Sequence, residues 1–223
     1  HSTSLHLLLA SGSPRRRDLV ALLGLPFVVQ PSAADEQTLA SESASDMVLR
    51  LSRAKAQALL PRADGKLILA ADTTVAFRGQ VLGKPVDRQD AVLMLRQLRG
   101  HTHTVYSGIT LLDSATGETR VQLVESRVVM RQYTDQEIAA YVATGDPLDK
   151  AGAYAIQHPW FSPVAAWTGC YAGIMGLPLR LARDMLHDAG MRVPGDVIEA
   201  CEKLNEGRCC TRETAVGREH DDA

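Results

Sequence analysis

Three consecutive arginines, Arg15, Arg16 and Arg17, follow the turn Ser11-Gly12-Ser13 in the stretch LLLASGSPRRRDLVALLG. Ser13 has the chemistry of a helix N-cap and Pro14 that of a first helical residue. The arginines therefore fall in a first turn, where the macrodipole is already positive. Arg15 lies four and seven residues before Leu19 and Leu22, and Arg16 four and seven before Val20 and Leu23. Both continue the apolar stripe inward, whereas Arg17 aligns with Ala21 and faces out. Inward cations at a helix N-terminus call for an anion. The turn adds backbone N–H groups and the hydroxyls of Ser11 and Ser13, which together make a phosphate cradle. The alternative is three solvated arginines on a short helix.

Lys55 breaks an apolar stripe in the same way. It falls seven residues after Val48, four after Leu51 and four before Leu59, while Arg50, Arg53 and Gln57 take the polar face. A lysine so placed either snorkels to water or serves a buried anion. Asp72 is a separate candidate. It follows LILAA, near the carboxyl end of an apolar strand, with the hydroxyls of Thr73 and Thr74 beside it. Open α/β sheets set their sites at such strand ends, although a lone Asp there also serves as a turn or cap residue. Asp35 and Glu36 offer a second carboxylate from a polar loop, or stay solvated. Two carboxylates facing phosphates suit Mg²⁺, which shares oxygen ligands with phosphate.

Lys84 sits in LGKP, its backbone fixed by Gly83 and Pro85. Lys150 occupies the compact turn LDKAGAY, with Asp149 as a surface ion-pair partner. Gln157 closes AYAIQ, which reads as a short strand; its amide suits either the edge of a base or a backbone group. His101 and His103 alternate on a strand and are expected to be exposed, and no HExxH, CxxC or GxSxG spacing occurs. Several cations, two carboxylates and a Gly/Ser turn in one chain are the kit for a metal-dependent reaction on a polyphosphate.

Positioning these groups needs a scaffold, and the patterning supplies one. Strands are expected over 5–10, 26–30, LILAADTTVAF, 102–113 and 118–131, with a hairpin at FRGQVLGKP and one more strand after Gln157. Helices are expected over 14–23, 45–60, 87–99, from Thr134 to 143 behind a Thr134/Glu137 capping box, and over 177–189. Strands that need crossover helices alternate with hairpin strands. The expected fold is α/β, a mixed twisted sheet flanked by helices. One catalytic domain spans 4–193, and the polar segment 194–223 reads as a partly disordered extension.

Composition narrows the function classes. The 223 residues are 45% hydrophobic, enough for one sizeable core, and the net charge of −2 gives no field for nucleic acid. Aromatic residues at 4% do not build a single-strand stacking platform. No apolar run reaches the ~20 residues of a membrane span. The four cysteines, three of them near the C-terminal end, form no disulfide framework, so a reducing cytoplasm is the expected setting.

The segments ASGSPRRRDLVALLG, AADTTV, LGKP, LRGHTHTVYSGI, DPLDKAGAYAIQ and GLPL, in that order over residues 5–190, resemble the Maf family. The resemblance implies a nucleoside triphosphate pyrophosphatase that forms the monophosphate and pyrophosphate by water attack at the α-phosphorus. It implies two lobes around a cleft, a fold like that of inosine triphosphate pyrophosphatase, and a homodimer. By the same resemblance Asp72 is the catalytic acidic residue, as proton acceptor or activator of metal-bound water, with Lys55 and Lys84 beside it as phosphate-binding cations. Ser11, Ser13, Arg15 and Arg16 bind phosphates, and Glu36 joins Asp72 in holding Mg²⁺. Arg15, Thr73 and Gln157 set base specificity. The pairing of ADT with DKAGAYAIQ is similar to the branch acting on dTTP and UTP, with modified pyrimidine triphosphates as further substrates. His158-Pro159 and the bulky loop after them depart from the family pattern beside Gln157. The alternatives are a 7-methyl-GTP or other purine specificity, and a nucleotide-binding regulator of cell division.

Overall fold

The computed structural model describes residues 6–205. Strand β1 (Leu7–Leu9) is three buried leucines, and it lies parallel to both β2 (Phe27–Val29) and β3 (Leu67–Phe77). Helix α1 (Pro14–Ala21) makes the first crossover and α2 (Ala44–Leu59) the second. Ser13 caps α1 by accepting from the Arg16 N–H, and Ser43 caps α2 by accepting from the Asp46 N–H. Strand β3 turns back into β4 (Gln80–Leu82) through Arg78 and Gly79, both with positive φ (50° and 78°), as a two-residue hairpin requires.

After α3 (Arg88–Leu98), the long strand β5 (Thr102–Asp113) continues the sheet antiparallel to β3, and β6 (Thr119–Met130) runs antiparallel to β5. Helix α4 (Asp135–Ala143) opens on the expected Thr134/Glu137 capping box. Strand β7 (Val164–Thr168) forms the far edge, followed by α5 (Tyr171–Met175), α6 (Leu179–Asp188) and α7 (Val197–Leu204). The strand order is β2-β1-β3-β5-β6-β7, with β4 paired to β3. This is the mixed sheet the sequence predicts.

Three apolar clusters share β3, one of them Ile68 and Ala70 packed with Ala56 and Leu59 of α2. Leu67 and Leu69 pack with Leu19, Leu23, Leu179 and Leu186 beneath α1 and α6. Val75 and Phe77 pack with Leu95, Leu98, Tyr133, Tyr141 and Phe161 beneath α3 and α4. One edge of β3 is likewise divided. Strand β1 pairs with it only over Leu67–Leu69 and β4 only over Val75–Phe77. Between those two ladders the chain leaves β1 into the Ser11-Gly12-Ser13 turn, and a cleft of about 690 Å³ opens beside Asp72–Thr74.

Two expectations are corrected, and a third, the partly disordered extension after 194, is ordered in part. Gln157 does not end a strand: Gly152 (φ 68°) and Ala153 (φ 60°) turn the chain into a single 3-10 turn, and Ile156-Gln157 lie in a further turn. His103 is buried at 3% exposure, because α3, α4 and the segment after α4 cover that end of β5. Its Nε2 is 2.8 Å from the Tyr154 hydroxyl, and burial pushes its pKa down to about 4. The extension after 194 is not loose throughout. Asp196 caps α7, which buries Val197 and Cys201 against the α6 cluster. Residues 206–223, including Cys209 and Cys210, lie outside the described residues.

Gly108 of β5 pairs with Asp72 of β3, and a Cβ there would stand 2.3 Å from the Val48 carbonyl oxygen of α2. The substitution Gly108→Ala must push α2 off the sheet. It should destabilise the protein by about 3 kcal/mol or more, read as a lowered thermal midpoint.

Candidate active site

The chain leaves β1 at Ala10, which donates to the Leu69 carbonyl, and enters the serine turn. The Ser11 hydroxyl accepts from the Ser13 N–H (3.1 Å), and the Ser13 hydroxyl accepts from the Arg16 N–H. Side chains thus shape a loop whose outlet is the N-terminus of α1. No acidic residue stands in that first turn. Arg15 and Arg16 are half-buried and line the cleft, while Arg17 is exposed beside Asp18, as the helical spacing predicts.

Arg16 is held in place before any anion arrives. Its Nε donates to the Gly176 carbonyl (2.9 Å) at the end of α5, and Nη2 reaches the Thr73 hydroxyl (3.4 Å). Burial lowers its pKa from the ordinary guanidinium value; Asp72 and Glu36 oppose that shift and Arg15 adds to it. A guanidinium does not deprotonate in a protein. The shift therefore measures an uncomfortable cation, one that a bound anion would relieve.

Opposite this wall, Lys55 projects from α2 with its side chain only 8% exposed. Its Nζ lies 2.6 Å from Asp72 Oδ1 and 3.0 Å from Glu36 Oε1. The lysine serves a buried anion rather than snorkelling. Glu36 is half-exposed on the loop before α2. Partial burial acts to raise its pKa, but the Lys55 hydrogen bond and charge, with Lys84 and Arg16 behind them, hold it below the ordinary carboxylate value.

Lys84 follows β4 and faces the same space. Ser11, Ser13, Arg15, Arg16, Glu36, Lys55, Asp72, Thr73, Lys84 and Gln157 all line one cleft, brought there from six separate stretches of chain. Gln157 carries a further signal. Its Oε1 is buried with no hydrogen-bond partner among the described residues. An unpaired buried acceptor costs about 1–3 kcal/mol, a cost removed when a donor reaches it.

The scan against family models matches a Maf-like protein over residues 6–189. This chain belongs to the Maf family. Curated relatives include the dTTP/UTP pyrophosphatase of Thermomicrobium roseum, 47% identical over 84% of this chain and 85% of that one. The protein of the same name from Pelotomaculum thermopropionicum is 42% identical over 84% of this chain and 98% of its own. That from Moorella thermoacetica is 44% identical over 86% and 98%. Among solved structures, the Staphylococcus aureus Ham1 protein aligns over 56% of this chain and 71% of its own at 14% identity and a TM-score of 0.38, too slight a likeness to argue from.

In this Maf protein Lys150 is a structural cation. It is buried, and its Nζ donates to the Asp146 carbonyl (2.6 Å), Asp146 Oδ1 (2.8 Å) and Asp149 Oδ1 (2.7 Å). Those bonds use all three donors of an ammonium. The pair expected with Asp149 forms, with the lysine buried and the Asp149 carboxylate 65% exposed. Asp146 also accepts from the Tyr141 hydroxyl (2.7 Å), whose oxygen accepts from the Ala155 N–H (3.2 Å), two residues before Gln157. Neither Asp146 nor Tyr141 stood out in the sequence, because each looks like an ordinary helix-end residue until the loop folds back.

Two outcomes follow. Removing one partner of the buried pair strands the other, so Lys55→Ala should lower stability by about 3 kcal/mol, measured by denaturant titration. Glu36 has a depressed folded-state pKa, so its contribution is present above the unfolded value and is lost as pH falls through the folded one. The stability gap between wild type and Glu36→Gln should therefore be constant near neutrality and close in acid, below about pH 4.

Proposed function

We propose that this protein is a nucleoside triphosphate pyrophosphatase acting on dTTP and UTP. The reaction is NTP + H₂O → NMP + pyrophosphate, with water attacking the α-phosphorus. The observation that carries the proposal is Asp72 held 2.6 Å from Lys55 Nζ in a cleft whose other wall is the serine turn and the arginines of α1. The names of relatives at 42–47% identity supply the substrate class.

Attack on a triphosphate must overcome repulsion from several negative charges. Arg15, Arg16 and Lys84, with the N–H groups of the serine turn, hold the β- and γ-phosphates and the charge that develops on departing pyrophosphate. Asp72 orients the water and takes its proton as the new P–O bond forms and the bond to the β-phosphate oxygen breaks. Lys55 fixes the Asp72 carboxylate toward the cleft. Thr73 and Gln157, the uncharged polar groups opposite, read the base. That Gln157 lines the same cleft supports that role.

Mg²⁺ belongs to the same proposal. Among the described residues, no three His, Cys, Asp or Glu side chains gather as a metal site. Asp72 and Glu36 converge on one Lys55 ammonium, and two carboxylates suffice for an ion that takes its remaining oxygens from phosphates and water. The donor set therefore fits, and the bound ion would neutralise phosphoryl charge. A homodimer and a cytoplasmic setting rest on the family resemblance and the cysteine pattern alone. No helix among the described residues is long and apolar enough to cross a membrane.

The test is pyrophosphate release from dTTP, UTP, CTP, GTP, 7-methyl-GTP and ATP with Mg²⁺. dTTP and UTP should turn over fastest, and Asp72→Asn should lose on the order of 10²-fold or more in kcat while still binding nucleotide. Turnover mainly of 7-methyl-GTP would retain the phosphate chemistry and overturn the base assignment. Binding without turnover of any triphosphate would favour the regulator.

A further inference from the structure

Ser107, on β5, is 1% exposed and does not line the cleft, yet it ends a hydrogen-bond chain that begins there. Its hydroxyl lies 2.8 Å from the Gly173 carbonyl of α5 and 3.1 Å from the Thr73 hydroxyl. Thr73 in turn lies 3.4 Å from Arg16 Nη2. The two ends of this chain have fixed polarity. A carbonyl only accepts and a guanidinium only donates, whereas each hydroxyl between them has one proton and two lone pairs. The short contact to Gly173 takes the Ser107 proton. Ser107 must then accept from Thr73, which spends the Thr73 proton as well. The competing acceptor for Thr73, the Gly176 carbonyl, is farther away at 3.5 Å.

We infer that Ser107 is a positioning residue that makes Thr73 a pure acceptor toward the cleft, and that this polarity selects bases carrying an N–H over those presenting a bare ring nitrogen. The inference rests on the pyrophosphatase reading, with Thr73 at the base. One lone pair of Thr73 takes Arg16 Nη2, and the second is left for the ligand. The N3–H of uracil and thymine satisfies it. The N3 of cytosine is itself an acceptor, so the two lone pairs would repel. Arg16 gains from the same chain, since Thr73 and Gly176 aim its guanidinium from two sides.

The measurement is the ratio of kcat/KM for UTP to that for CTP, with the thermal midpoint recorded for each variant. Ser107→Ala frees the Thr73 hydroxyl to rotate and donate. The ratio should fall about five- to tenfold, the worth of one neutral hydrogen bond. Ser107→Thr keeps a hydroxyl at the same point and should restore it. Ser107→Cys, close in volume and a weak donor, should give an intermediate ratio, which keeps the inference exposed should the alanine variant fail to fold. Thr73→Val should lower the ratio, and adding Ser107→Ala to it should change the ratio no further, because both act through one hydroxyl. A UTP:CTP ratio unchanged in Ser107→Ala or Ser107→Cys overturns the inference while leaving the pyrophosphatase reading intact. So does a further fall in the double variant. No turnover of UTP by the wild-type protein overturns both.

Discussion

The contact between Lys55 and Asp72 is the constraint on which the cleft depends. Both side chains are nearly buried, 8% and 11% exposed, so each would be costly without the other. The pair joins α2 to β3 across a gap that closes only because Gly108 has no side chain and lets the Val48 carbonyl approach the sheet. One helical turn on from Val48, the Ser52 and Thr110 hydroxyls meet at 2.9 Å and hold the same helix to β5. Backbone approach, a hydroxyl pair and an ion pair thus fix one helix along three successive turns. The functional lysine is the last of the three, so its position carries little freedom.

Charge in the cleft is deliberately out of balance. Arg15, Arg16, Lys55 and Lys84 outnumber Asp72 and Glu36, and Lys150 is already neutralised by its own two aspartates. The first turn of α1 adds the positive end of a dipole with no acidic residue to offset it. Such an arrangement favours binding of an anion. It also explains why the arginine is anchored by carbonyl and hydroxyl oxygens at Gly176 and Thr73, because those dipoles orient the guanidinium without cancelling its charge.

The parts of this site that were legible in the sequence are those that violate a periodic pattern. Arg15, Arg16 and Lys55 each occupy an apolar stripe, and a charge in a stripe is visible without a structure. Asp72 interrupts a strand too apolar to face water. Glu36 lies in a loop with no period, and only its family counterpart singled it out. AYAIQ imitates a strand by its apolar content, but Gly152 and Ala153 at positive φ turn the chain before it can pair. His103 alternates like an exposed strand residue because the cover over β5 comes from segments remote in sequence. Helix α7 was hidden although five of its eight residues are apolar, because the polar stretch that follows it dominates the composition of the segment after Pro194.

The loop that carries Gln157 shows why irregular chain can serve a specific site. It has no ladder to hold it, so its rigidity must come from side chains, and these are arranged in series. Lys150 spends its three donors on Asp146 and Asp149, Asp146 accepts from Tyr141, and Tyr141 accepts from the Ala155 N–H. Tyr141 is also stacked on Phe161 with ring centres 4.3 Å apart, which ties the series to the α3/α4 core. Both walls facing the base are then built alike. Thr73 is set by a chain ending on an α5 carbonyl, and Gln157 by a chain ending on a buried lysine. Thr73 keeps one lone pair beyond the one that accepts from Arg16, and Gln157 Oε1 has no donor among the described residues. On the proposed function, two acceptors prepared in this way select a ligand by the protons it brings.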